Sequence, residues 1–219
     1  MAQIFNRSAN TIAKASIVGL VILGGIIFYG ITVFARSSYI TGVAVDRPQP
    51  VQFSHKHHTG DDGIDCRYCH TSVETSNTAG LPPTQTCMNC HQQIWSDSPY
   101  LEIVRSSYRD NKPIQWERVH DLPDYVYFNH SIHVAKGVGC NTCHGQIDEM
   151  PAVHQVNTLQ MEWCLSCHRN AQNFIRPKSE IYNMSWRDDN LTTEQRAQLS
   201  RDYKLRAPDM LTSCSTCHR

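Results

Sequence analysis

Apolar residues are unevenly distributed along the chain, and one long apolar run lies near the N-terminus. From Ser16 to Ala35 no residue carries a charge, and Lys14 and Arg36 bracket this stretch of 20 residues. As an α-helix it would span about 30 Å, the thickness of the hydrocarbon core of a bilayer. A cleaved signal peptide is the competing interpretation, but its apolar core usually has only about 7–15 residues. The pattern therefore predicts a retained transmembrane helix over residues 16–36.

The rest of the chain has no comparable run, and its pattern predicts short helices and many loops. Residues 37–50 contain two prolines and are expected to form an extended linker. Residues 192–195 resemble a capping box, which predicts a helix from about 193 to 206. Residues 125–128 are compatible with a short strand or with a loop. The expected fold class is mostly irregular with short α-helices.

Composition excludes two broad classes of protein. Hydrophobic residues make up 40% of the 219 residues, charged residues make up 18%, and the formal net charge is zero. A nucleic-acid-binding protein would carry a basic excess, so no nucleic-acid partner is expected. A disordered chain would combine low hydrophobicity with a strong net charge.

Cysteine is the unusual component, because all ten cysteines fall into five Cys-x-x-Cys pairs and a histidine follows each pair directly. This is the attachment signature of a c-type haem. The two thiols add to the two vinyl groups of one porphyrin, and the histidine becomes the proximal ligand of the iron. In chain order the motifs consist of Cys66, Cys69 and His70 (motif 1), Cys87, Cys90 and His91 (motif 2), Cys140, Cys143 and His144 (motif 3), Cys164, Cys167 and His168 (motif 4), and Cys214, Cys217 and His218 (motif 5).

Three other chemistries use cysteine pairs. Disulfide frameworks and thioredoxin-like redox motifs do not require a histidine after every pair. Zinc ribbons use pairs two at a time, and five is an odd number. The sequence therefore predicts five covalently bound haem c groups, with their iron, as cofactors.

The segment ahead of motif 1 recurs ahead of motif 3. Both segments read Phe-x-His-x-x-His, and they begin at Phe53 and Phe128, an offset of 75 residues. Each is followed by two haem motifs, which predicts two tandem dihaem modules at about 51–95 and 120–172. Motif 5 adds a fifth haem at the end of a predicted haem domain that covers residues 51–219.

Seven histidines outside the motifs can supply distal ligands to the five irons. His55 and His58 are three residues apart, as are His130 and His133, so each pair shares one face of a helical turn. One histidine of a pair can serve its own module and the other a neighbouring haem. His57 points elsewhere on that turn and is expected at the surface.

Three further distal candidates are less regular. His120 lies ahead of the second module and is expected to ligate an iron. For the iron of motif 4, Met161 lies three residues before Cys164 and is favoured over His154, which lies ten residues before it. A methionine ligand would raise the potential of that haem above those of bis-histidine haems. If every iron has two protein ligands, each exchanges electrons and binds no substrate.

Haem attachment also predicts the topology. Thioether bonds to haem form outside the cytoplasm, so the haem domain is expected on the periplasmic side of a bacterial inner membrane. Residues 1–15 would then face the cytoplasm, with a single span between them and the linker. Arg7 and Lys14 agree with the positive-inside tendency, although Arg36 makes the asymmetry small.

Several motifs together resemble the membrane-anchored pentahaem cytochrome c subunit of bacterial alternative complex III, and more broadly the class III multihaem cytochromes c. The resemblance implies a subunit that carries electrons from quinol oxidation to a periplasmic cytochrome c or blue copper acceptor. It also implies three partners in the complex: a polytopic quinol-binding subunit, an iron–sulfur subunit and a monohaem cytochrome c. The segments that carry it are Phe53-Ser54-His55, Cys66-Arg67-Tyr68-Cys69-His70, Cys87-Met88-Asn89-Cys90-His91, Arg118-Val119-His120, Tyr127-Phe128-Asn129-His130 and Trp163-Cys164-Leu165-Ser166-Cys167-His168.

An electron-carrying subunit without catalysis of its own is therefore the expected function, and two alternatives stay open. One is an oxyanion reductase in which one iron, best placed at Cys214, lacks a distal ligand. The other is a stand-alone quinol dehydrogenase like the tetrahaem family with one N-terminal helix. That family places a methionine ligand two residues past a motif histidine. The corresponding residues here are Ser72, Gln93, Gln146 and Asn170.

Overall fold

The computed structural model describes residues 5–218, apart from the side chain of Asp188. The chain divides into two compact units, with the boundary between Val43 and Ala44.

The first unit is built around one long helix. Helix α1 spans Ser8–Ala35, and a short helix α2, Ser38–Thr41, ends at Gly42 with a φ of 70°. The most apolar 18 residues of helix α1 have a mean hydropathy of 2.5, and no residue of the helix is buried within the unit. By length and composition it can cross a membrane, and a signal sequence would pass the same test. It begins at Ser8 rather than at residue 16 because the polar turn before the apolar run is also helical.

The second unit contains short helices joined by loops, as the sequence predicts. Within the described residues there is no β-strand, only an isolated antiparallel bridge between Val138 and Ile175, and residues 125–128 form a loop. The α-helices are α3 (Cys66–Cys69), α4 (Thr84–His91), α5 (Glu102–Asp110), α6 (His130–Ala135), α7 (Cys140–His144), α8 (Met161–Arg169), α9 (Thr193–Asp202), α10 (Pro208–Leu211) and α11 (Cys214–Cys217). A π-helical turn covers Lys56–Asp61, and 3₁₀ turns cover Pro99–Leu101, Ile147–Glu149, Ala171–Asn173, Lys178–Glu180 and Asp188–Asn190.

The predicted capping box is present at the start of α9. The Thr192 hydroxyl accepts a hydrogen bond from the Gln195 backbone N–H at 3.3 Å, and the Gln195 side chain accepts one from the Thr192 N–H at 2.8 Å. The helix ends at Asp202, earlier than the predicted residue 206. The reason is that Tyr203 turns into the interior and Lys204 takes a left-handed φ of 49°.

The side-chain core of the second unit is small. Val51, Met88, Leu101 and Val104 form one buried cluster beneath helices α4 and α5. Only ten hydrophobic side chains in the described part of the chain are buried. A chain of this length normally buries a much larger fraction of its apolar surface, so side chains alone make a small core here.

The second unit includes part of the predicted linker 37–50. The Ala44 N–H donates to the Gln155 carbonyl at 2.8 Å. The Gln49 side chain pairs with the backbone of Glu117, donating to its carbonyl at 2.9 Å and accepting from its N–H at 3.0 Å. From Ala44 onward, the segment is therefore fixed to the unit that carries the haem motifs.

Candidate haem-binding sites

Each Cys-x-x-Cys-His motif lies on a helical turn. Motifs 1, 3 and 5 form the short helices α3, α7 and α11, whereas motifs 2 and 4 lie within α4 and α8. Residues three apart share one face of a turn, so both thiols of a motif point to the same side. This arrangement suits two thioether bonds to the edge of one porphyrin.

All ten cysteines are free thiols in the structure. Among the described residues, no group of three or more His, Cys, Asp or Glu side chains is placed to hold a metal ion by itself.

In the first module, two histidines stand opposite the motif histidines. The rings of His55 and His70 are 6.4 Å apart between centroids and parallel to within 2°. The rings of His58 and His91 are 6.0 Å apart, with an interplanar angle of 65°. An iron bound at about 2 Å to a nitrogen of each ring would separate the two ring centres by about 6 Å. Each of the two gaps therefore has the width that one six-coordinate iron requires.

The second module repeats this arrangement. The rings of His130 and His144 are 6.4 Å apart at an angle of 10°, and those of His133 and His168 are 6.1 Å apart at 32°. In both modules the first histidine of the turn faces the next motif in sequence, and the second faces the motif after it. The structure thus brings together four of the proximal histidines with four of the distal candidates.

Phe53, at the head of the first repeat, packs between its two histidines. Its ring lies edge-on to His55 at 4.9 Å and 87°, and stacks on His58 at 4.4 Å and 26°. These contacts fix the planes of two rings that are otherwise free to rotate about their side-chain bonds.

Phe128 does the same in the second repeat. It is edge-on to His130 at 4.8 Å and 89°, and stacked on His133 at 4.5 Å and 26°. The two repeats therefore agree to about 0.1 Å and 2° in these four contacts. The agreement gives the sequence repeat a common geometry.

Backbone carbonyls orient most of these imidazoles. A carbonyl only accepts, so a ring nitrogen bonded to one carries the proton and the opposite nitrogen keeps a lone pair for a metal. Such bonds are a regular feature of metal-binding histidines because they fix the tautomer and the ring orientation. The Nδ1 acceptors are the carbonyls of Gly80 for His70 (2.7 Å), Ile94 for His91 (3.0 Å), Leu211 for His168 (2.9 Å), Tyr125 for His218 (3.0 Å), Ser54 for His58 (2.9 Å), Asn77 for His130 (3.0 Å) and Asn129 for His133 (2.7 Å).

Burial keeps two of these imidazoles and two of the motif thiols uncharged. Burial lowers the pKa of His55 to about 4 and that of His144 to about 3, so both rings are neutral at pH 7. Neutral imidazole is the form that binds a metal. Burial also raises the pKa of the Cys140 thiol to about 11 and that of the Cys143 thiol to about 12. A neutral thioether suits these positions better than a thiolate does.

Interactions between thiols connect the motifs into a spatial series in the order 2, 1, 3, 4, 5, and the hydrogen bond from His168 to the Leu211 carbonyl joins motif 4 to the segment before motif 5. Thiols of successive motifs lie close enough that a negative charge on one raises the pKa of the other. The side chain of Asn89 in motif 2 also donates to the hydroxyl of Tyr68 in motif 1 at 3.0 Å. The interacting thiols are Cys87 with Cys69, Cys66 with Cys140, Cys143 with Cys164 and Cys167, and Cys164 with Cys217.

Motif 5 differs from the other four. Within residues 5–218, no histidine ring lies opposite His218. The ring in contact with it belongs to Tyr125, at 5.8 Å and 34°, and the carbonyl of this tyrosine also accepts the bond from His218 Nδ1. The two repeats therefore supply a distal histidine to motifs 1 to 4 and none to motif 5.

The less regular distal candidates contact other groups in the structure, and their role as ligands stays a prediction. His120 packs edge-on against His144 at 4.4 Å and 73°, which is too close for an iron between the rings. Burial lowers the pKa of His120, and nearby His130 and His154 lower it further. Nδ1 of His154 contacts the carboxylate of Asp46 at 3.0 Å.

His133, rather than Met161 or His154, occupies the position opposite His168. The two histidines of this turn face different motifs, His130 facing motif 3 and His133 facing motif 4. Met161 is the first residue of α8 and is 66% exposed, so it is not the buried packing residue that methionine often is. Met161 and His154 stay predictions for this iron, and His133 is the histidine whose ring faces His168, at 6.1 Å.

Two comparisons with known proteins bear on these sites. Residues 126–219 match the family described as cytochrome c7 and related cytochrome c. The chain is also similar to the "Menaquinone reductase, multiheme cytochrome c subunit" of Nitratidesulfovibrio vulgaris, with 31% identity over 145 residues. That alignment covers 57% of this chain and 69% of the relative.

Proposed function

The chain belongs to the multihaem cytochromes c related to cytochrome c7, and on this premise we propose that it is an electron-carrying subunit with five covalently bound haems. Bound haem supplies one-electron redox chemistry at each motif. One observation supports the proposal above the others: four motif histidines each face a second histidine across a gap of 6.0–6.4 Å. Irons with two histidine ligands exchange electrons and leave no position for a substrate.

The geometry supports a specific ligand assignment. The two cysteines of each motif hold one porphyrin, and the motif histidine is the proximal ligand. The residues in two modules, at about 51–95 and 120–172, supply the distal ligands of four irons. These pairs are His55 with His70, His58 with His91, His130 with His144, and His133 with His168.

The fifth iron would be held by His218 and differ from the rest. Because no second histidine faces His218 in the described part of the chain, we expect one centre with a spectrum unlike those of the four bis-histidine centres. This fifth iron would lie at the end of the spatial series of motifs that is opposite motif 2. A reductase reaction at this iron is the alternative that a ligand-free position would allow.

Helix α1 would anchor the chain in a bacterial inner membrane. It has the length and hydropathy of a single span. Because haem attachment takes place outside the cytoplasm, the N-terminus would be cytoplasmic and the unit from Ala44 onward periplasmic. The anchor would hold the protein beside a membrane complex rather than in bulk solution.

The complex is proposed to be quinone-linked. The motifs resemble the pentahaem subunit of alternative complex III, and the relative is a subunit of a menaquinone reductase. We propose electron transfer from quinol, oxidised by a polytopic partner with iron–sulfur and monohaem subunits, to a periplasmic cytochrome c or blue copper protein. The name of the relative favours a second candidate, in which electrons run the other way and reduce menaquinone.

Purification of the chain from its native membrane tests this proposal. We expect it to co-purify with a polytopic subunit, and we expect menaquinol to reduce its haems only when that partner is present. Reduced cytochrome c added instead would reduce the haems and then quinone if the second direction holds. Quinol oxidation by the isolated chain, or turnover with nitrite or tetrathionate, would contradict the proposed role as a carrier.

A further inference from the structure

We propose that the surface beside motif 2 is the docking site for a basic redox protein, an inference that rests on the electron-transfer function proposed above. The partner is one that presents lysine and arginine side chains around an apolar centre. This Trp95 surface consists of Ile94, Trp95 and Tyr100, with the carboxylates of Asp61, Asp62 and Asp97 around them.

The centre of the Trp95 surface is apolar and faces solvent. Trp95 is 64% exposed, Tyr100 is 75% exposed, and the two line one open groove. Ile94 is 59% exposed beside them. Contiguous large apolar side chains on the surface of a soluble unit mark interaction sites, and Trp and Tyr contribute most often to binding energy at such sites.

The loop that carries Trp95 is held rigidly. The guanidinium of Arg105 donates to the carbonyl of Ser96 at 2.7 Å and to that of Ser98 at 2.8 Å. Arg105 is itself fixed by an ion pair with Glu102 at 2.6 Å. Trp95 has a φ of 54°, a left-handed conformation that bulky residues seldom adopt. The ring is thus presented to solvent by a preorganised backbone, which lowers the entropic cost of docking.

The Trp95 surface is directly connected to motif 2. His91 Nδ1 donates to the carbonyl of Ile94 at 3.0 Å, one residue before Trp95. Motif 2 stands at one end of the spatial series of motifs, so a partner at this surface would meet the first site of the series. A partner docked in the middle of the series would exchange electrons without using the motifs on one side of it.

The rim of the surface is acidic. Asp61 and Asp62 lie on one side, 3.9 Å and 3.6 Å from the ring nitrogens of His57, which stacks on the indole at 6.4 Å and 18°. Asp97 follows the indole by two residues on the other side. Lys56 is exposed nearby, so three carboxylates stand against one lysine. The charge of Arg105 is compensated by its ion pair.

The opposite end of the series has no acidic excess. Exposed Lys204 and Arg206 precede motif 5 and are balanced by the exposed carboxylates of Asp124 and Asp209. Complementary charge steers association, and like charge suppresses it. A basic partner is therefore attracted to the motif 2 end and not to the motif 5 end.

Stopped-flow transfer of one electron from the reduced full chain to ferric cytochrome c, a basic probe protein, tests the proposal. The chain is purified in detergent with its haems, reduced with dithionite and separated from the reductant. We expect the second-order rate constant of the parent chain to fall as the salt concentration rises. At low salt, the rate constant of Asp62→Asn/Asp97→Asn should be about tenfold lower than that of the parent chain. The matched control Asp124→Asn/Asp209→Asn removes two carboxylates near motif 5 and should leave the rate unchanged. Cytochrome c with succinylated lysines should react slowly with every form.

A second variant tests the apolar centre without disturbing the backbone. Trp95→Gly retains the positive φ, which glycine adopts freely, and removes only the indole. It should lower the rate at every salt concentration and keep the salt dependence of the parent chain. Equal rates for all variants, or slowing by the motif 5 control alone, would overturn the docking site.

Haem content and complete reduction by dithionite are measured on each sample. They separate failure of this inference from failure of the proposed function. A chain that is fully loaded and reduced, yet transfers electrons equally in all variants, refutes only the docking surface. A chain without haem refutes the proposed function itself.

Discussion

His133 provides the sharpest test of the ligand assignment, because the sequence favoured Met161 for the same iron. Replacing His133 by glycine removes the ring that stands 6.1 Å from His168 and leaves a space of imidazole size beside Phe128. Glycine inside α6 costs about 1 kcal/mol of helix stability, which is small beside the 5–15 kcal/mol typical of a domain. The fold is therefore expected to survive.

The size of the spectral effect follows from the number of sites. With five irons and one of them affected, about one fifth of the total haem should change from low spin to high spin. Optical and electron spin resonance spectra of the ferric protein measure this fraction. Excess imidazole should restore the low-spin spectrum by occupying the vacated position.

His57→Gly is the matched control. It changes a histidine on a helical turn of the first module to glycine, but this ring faces Trp95 and the carboxylates of Asp61 and Asp62. The control should keep the same low-spin signal as the parent chain. An unchanged spectrum in His133→Gly, together with a high-spin fraction in Met161→Ala, would refute the assignment and restore the sequence preference.

Three further predictions concern single residues. Thr192→Ala removes the N-cap bond to Gln195 and should lower the free energy of unfolding by about 1 kcal/mol in a denaturant titration; no change would show that the capping box is unimportant. Gly137→Ala places a Cβ against the Tyr203 ring at a φ of 80°, so it should lower the melting temperature in a thermal scan, and a neutral result would contradict the packing described. Met161→Ala should leave the potential of the motif 4 haem unchanged in a redox titration, whereas a marked fall would identify Met161 as its ligand.

The motifs and their repeat could be predicted from the sequence because covalent attachment and helical spacing are local constraints. Two thiols and a histidine must lie on one turn, and His55 and His58 must share a face. The structure adds which iron each histidine of a turn faces, a matter of how the loops between motifs fold. Local spacing alone contains no such information, so it does not assign His133 to motif 3 or to motif 4.

Other features of the site give no signal in the sequence. The carbonyls of Gly80 and Ile94 orient two proximal histidines, but every residue has a carbonyl and nothing in these side chains indicates the role. The position of His120 ahead of the second module predicts a distal ligand. Its contact with His144 depends on the path of a long loop, and such a contact is invisible to helical periodicity.

The central claim is that all five motifs carry covalently attached haem. The intact mass of the mature chain, purified from its native membrane and denatured, measures this directly because thioether bonds survive denaturation. We predict the mass of the polypeptide plus five haem groups, with an iron content of five atoms per chain. A polypeptide without added haem, or zinc in place of iron, would contradict the account.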